Sequence, residues 1–79
     1  MTPTAEDAAR RILRLFVGHF HAGPGRVLKQ AILLRDFSSD EWQAAAYEAG
    51  VMFATEHGWL AAASDTLTLT SGGYAAAVA

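Results

Sequence analysis

The side chains of this chain that could do chemistry fall into three groups. His19, His21, Glu56 and His57 could ligate a metal; Arg10, Arg11, Arg14, Arg26 and Lys29 could hold phosphates; Asp40, Ala44, Tyr47, Glu48 and Val51 could make an apolar and acidic docking surface. Spacing argues against the first. His19 and His21 are two residues apart, which on a helix points them in different directions, and ligands at i, i+3 or i, i+4 are missing. Histidines near a helix C-terminus are accounted for by the dipole there. No metal and no other cofactor is expected. Gly23-Pro24-Gly25 has turn chemistry and is not a phosphate loop after a strand, and neither a nucleophile elbow nor paired carboxylates are evident, so the expectation is that the protein is not an enzyme.

The basic group divides between two readings. Glu6 with Arg10 and Asp7 with Arg11 stand at i, i+4, each pair worth only about 0.2–0.5 kcal/mol, which describes an ordinary solvated helix face. The other reading is contact with a nucleic-acid backbone or an acidic partner through the first helix. Whole-chain charge weighs on this choice. The net charge is −2 and the isoelectric point about 5.8, whereas a dedicated nucleic-acid domain commonly lies above about 9.

These side chains must be positioned by one small domain. At 79 residues a division would leave cores too small to be stable. The 52% hydrophobic share is rich in alanine, so large buried side chains are fewer than it suggests. Without cysteine there is neither a disulfide framework nor a thiolate site. No run of 18 apolar residues and no secretory pattern at the N-terminus is present, and a cytoplasmic protein without membrane contact is expected.

Thr4 with Asp7 has the spacing of a capping box, and Ala5, Ala9, Ile12, Leu13, Phe16, Val17 and Phe20 share one arc of a helix that should stop near His21. Over Arg26 to Phe37 two patterns compete, a short strand at Val27-Leu28 followed by a helix, or a single helix from Arg26 to Arg35. The single helix is preferred. Ser38 with Glu41 makes a second capping box, with Phe37 and Trp42 as its hydrophobic staple, so a helix is expected from Ser39 to His57, closed by Gly58. With Trp42 set inward, Ala46, Ala49 and Phe53 follow it, and Trp42→Ala should then cost about 3–5 kcal/mol. A second apolar stripe, Ala44, Tyr47, Val51 and Ala54, is either covered by helix 1 or the C-terminal segment, or free to dock a subunit or partner helix with Tyr47 as anchor. Trp59 to Ala63, Ser64-Asp65 and Thr66 to Thr70 form a hairpin with the leucines of Leu67-Thr68-Leu69-Thr70 inward, and a short helix or tail follows Gly73.

Gly58-Trp59-Leu60 after a long helix, then Leu67-Thr68-Leu69-Thr70 and Gly73-Tyr74, resembles the winged-helix superfamily, over roughly residues 5 to 78. The resemblance implies an α+β, mostly helical fold: a three-helix core, a C-terminal two-stranded wing and a short last helix or tail. It also implies that the helix ending at His57 stands where many members place a recognition helix in the DNA major groove, while other members bind proteins. The charge departs from the DNA-binding pattern. The outward face of this helix is expected to carry Asp40, Ala44, Tyr47, Glu48, Val51 and Thr55, and no lysine or arginine occurs between Ser39 and His57. Phosphates would be repelled there. The expected function is therefore a protein-interaction or self-association module, with a protein partner or a second copy on Asp40, Ala44, Tyr47, Glu48 and Val51. The alternative is a DNA-binding regulator using Arg10, Arg11, Arg14, Arg26 and Lys29.

Overall fold

The computed structural model describes residues 4–39 and 42–79. Helix α1 (Ala5–Arg14) begins with the expected box: Thr4 Oγ1 accepts from the Asp7 backbone N–H at 3.1 Å, and the Asp7 carboxylate accepts from the Thr4 N–H at 3.0 Å. The Thr4 N–H on its oxygen favours the ionised carboxylate and holds Asp7 below its ordinary value of 3.8. α1 runs on into a wider π turn, Leu15–His19, and the chain breaks out at His21, whose φ of 52° is left-handed. The inward arc is Ala8, Ala9, Ile12, Leu13 and Phe16, all buried, with Val17 and Phe20 packed at its edge.

Gly23-Pro24-Gly25-Arg26 is a tight turn in which the Arg26 N–H donates to the Gly23 carbonyl at 3.2 Å. Gly25 takes the positive φ, 89°, that such a turn needs after proline. The segment beyond it corrects the single-helix expectation, because it holds strand β1 (Val27–Lys29) and then helix α2 (Gln30–Phe37). A distant partner decides this. β1 pairs antiparallel with β3 (Thr66–Leu69), Leu28 opposite Leu67, and β3 also pairs with β2 (Leu60–Ala62). The β2–β3 hairpin is thus part of a three-stranded sheet in the order β1-β3-β2. Leu60, Leu67 and Leu69 face the core as the alternation predicts.

Helix α3 spans Ala44–Glu56 and does not begin at Ser39. Ser38 instead closes α2, its hydroxyl donating to the Leu34 carbonyl at 2.8 Å, and Gln43 is still extended at φ −93° and ψ 167°. Glu41, the other half of the expected capping box, lies outside the described residues. Trp42 precedes the helix, half-buried and edge-on to Phe37 at 5.3 Å. The fully buried line of α3 is Tyr47, Gly50 and Ala54, and the predicted inward stripe flanks it: Trp42, Ala46 and Phe53 are half-buried and packed at the edge of the core, and Ala49 is half-buried. α3 is apolar nearly all round, so hydropathy does not select a face and shape does. A Cβ on Gly50 would lie 2.8 Å from the backbone carbon of Ala8, so glycine is what lets α1 and α3 close together.

The end of α3 matches expectation. Gly58, at φ 71°, donates to the Thr55 carbonyl at 3.2 Å, and the Trp59 N–H returns to Ala54 at 2.8 Å, the pairing of a Schellman motif. Thr70 then caps helix α4 (Ser71–Val78) by accepting from the Gly73 N–H at 3.0 Å. Gly73 crosses the Trp59 carbonyl so closely that any Cβ would overlap it.

Candidate docking surface

The register of α3 redistributes the predicted docking residues. Tyr47 is not a surface anchor: it is 4% exposed, its ring meets Phe37 edge-on at 5.5 Å, and its hydroxyl donates to Gln30 Oε1 at 3.3 Å. Gln30 in turn donates its side-chain amide to the Ala63 carbonyl at 3.2 Å, which links α3 through the start of α2 to the hairpin. Burial disfavours the phenolate and pushes Tyr47 up to about 12. Val51 is half-buried against the core, so it too points inward. Ala44 and Glu48 are exposed, and Asp40 lies outside the described residues.

What α3 presents outward centres on Met52, which is 63% exposed. Glu48 stands one turn before it and Glu56 one turn after it, both exposed, on the same face by helical spacing. Ala45, Ala49 and half-buried Phe53 continue the apolar surface toward α1. There Ala5, Ala49, Met52, Phe53 and Glu56 line an open groove of about 260 Å³. That is smaller and shallower than the roughly 300–1,000 Å³ clefts that take small molecules. A shallow apolar groove of this kind suits a side chain or a helix edge. The sequence signal for it was a methionine at i+4 from one glutamate and i−4 from the next, a pattern masked by counting Trp42 as part of the helix.

The basic residues are spread over separate tasks. Arg10 pairs with Glu6 at 3.0 Å and lies over the Trp59 ring at 5.1 Å. Arg11 does not pair with Asp7 as expected. Its Nε and Nη2 donate to the Phe37 carbonyl at 3.1 and 3.0 Å, and its guanidinium lies 5.4 Å from the Phe37 ring and 5.1 Å from that of Trp42. A cation on the last carbonyl of α2 also complements that helix dipole. Arg14 is exposed and, with Arg10, borders a recess of about 80 Å³ against Ala76 and Ala77 of α4. Arg26 and Lys29 are exposed at β1.

The histidines are also separated. His19 Nε2 is 3.5 Å from Asp36 Oδ2, His21 sits at the helix stop, and His57 stacks on Phe53 at 4.0 Å with Nδ1 2.9 Å from the Phe53 carbonyl. Among the described residues no group of three or more histidines and carboxylates is placed to hold a metal ion. No described helix is long and apolar enough to cross a membrane. No protein-family model, curated protein or solved structure matches the chain.

Proposed function

We propose that this chain is a winged-helix-like protein-interaction module that receives its partner on the outer face of α3. The fold supports the first half of that reading: helices α1, α2 and α3 precede a β2–β3 hairpin, and the glycine stop at Gly58 leads directly into the wing. α3 then occupies the place of a recognition helix. The observation that carries the second half is Met52, largely exposed between Glu48 and Glu56 on a helix without a lysine or arginine. An exposed apolar centre with a polar rim has the composition of an interaction patch.

Site-specific photo-crosslinking tests the reading. A crosslinker at position 52 should give discrete protein adducts that the same group at exposed Ala75 on α4 does not. Equal adducts from both positions, or none from position 52, would remove the docking face. Contact with nucleic acid through Arg10, Arg11, Arg14, Arg26 and Lys29 is the weaker reading, because Arg10 and Arg11 are engaged inside the chain. An anisotropy titration with mixed-sequence duplex DNA should show no binding at low salt. Micromolar binding that falls steeply as salt rises would reverse the order of the two readings.

A further inference from the structure

We propose, resting on the docking reading above, that the occupant of the α3 face is a basic amphipathic helix of another protein and not a second copy of this chain. Charge selects between them. Glu6 is matched by Arg10, but among the described residues Glu48 and Glu56 make no ion pair, and the helix that bears them has no basic side chain. In a two-fold contact centred on Met52, antiparallel α3 helices would set Glu48 of one copy against Glu56 of the other. Like charges so placed oppose the association. A partner helix with apolar residues at i, i+3 or i+4 and i+7, flanked by lysine or arginine, meets both features at once. Its apolar edge enters the groove between Ala5 and Phe53, where the small side chain of Ala49 allows close approach, and its basic flanks reach the two glutamates.

Two labelled peptides of about 18 residues, long enough to form helix on a surface, test this: one with a leucine–alanine stripe flanked by lysine, its twin flanked by glutamate. The lysine peptide should bind the full chain at least about tenfold more tightly than its twin, with an advantage that shrinks in high salt. Glu48→Lys with Glu56→Lys should invert that order, and Met52→Asp should abolish binding of both peptides; circular dichroism establishes that each variant is folded. Equal binding of the two peptides that Met52→Asp still removes would overturn the basic-helix occupant and leave the docking face standing. Binding of neither peptide, with a dimer in light scattering that Met52→Asp dissociates, would assign the face to a second copy. Binding of neither peptide by a monomer overturns the proposal, and crosslinking at position 52 then decides separately whether the face docks anything.

Discussion

Tyr47 and Arg11 show how a side chain with an evident surface role becomes internal structure. Each ends in polar atoms that the fold satisfies at long range, Tyr47 on Gln30 and Arg11 on the Phe37 carbonyl. Tyr47→Phe should lower stability by about 1 kcal/mol by taking the donor from Gln30, whereas Tyr47→Ala should cost about 3–5 kcal/mol by emptying the space beside Phe37. Urea titrations of the two variants separate the hydroxyl from the ring. The raised phenol also makes a pH prediction. Its folded value, about 12, lies above its ordinary 10.0, so its contribution is complete below pH 10 and is lost as the pH rises from there toward 12. Wild type should lose stability across that alkaline window and Tyr47→Phe should lose less, as followed by circular dichroism beside phenolate absorbance. Arg11→Lys retains the charge but not the planar fork held between Phe37 and Trp42. It should unfold at lower urea concentration than wild type.

At the scale of elements, the α1–α3 contact depends on the missing side chain at Gly50. In an isolated helix Gly→Ala gains about 1 kcal/mol. Here the added Cβ meets backbone atoms of Ala8 and Ala9, which cannot yield as a flexible side chain would. Gly50→Ala should therefore be net destabilising by about 1–3 kcal/mol, and a variant more stable than wild type would contradict the packing. The start of α1 responds to acid. Asp7 lies below its ordinary 3.8 in the folded chain, so its contribution is complete above that value and is lost as the pH falls from there through the lowered folded value. Asp7→Asn should be less stable than wild type near neutrality, and the gap should close at low pH. Trp42 carries the complementary lesson. It is half-buried and held by Arg11 and Phe37 outside any helix, so Trp42→Ala should cost less than the 3–5 kcal/mol of a fully buried tryptophan.

For the molecule as a whole, the outer face of α3 is where stability and function should separate. Met52 is exposed, so Met52→Asp should leave thermal stability within about 0.5 kcal/mol of wild type while removing partner binding. A variant that unfolded would mean that Met52 supports the fold, and the docking reading would lose its central residue. Much of the architecture was legible in advance. The Thr4–Asp7 box, the arc from Ala9 to Phe16, the Gly58 stop and the alternation of Leu67 and Leu69 are written in local chemistry and became α1, the end of α3 and β3. The outer face of α3 was legible only in outline, as an acidic and apolar helix without basic residues.

The chain by itself determined an α+β unit, the caps that open α1 and close α3, the inward leucines of the hairpin and the sign of charge on α3, since each depends on residues within a few positions of one another. Tertiary structure alone decided three other matters. β1 exists because β3, far along the sequence, offers an edge, and without that partner Val27 to Lys29 reads equally well as helix. The inward face of α3 was chosen by steric fit at Gly50 and by the space that Tyr47 fills, because alanines on every side leave hydropathy without a preference. That choice placed Met52 outside between Glu48 and Glu56. The surface available to a partner is thus what remains after the core has been packed, and no local pattern records that remainder.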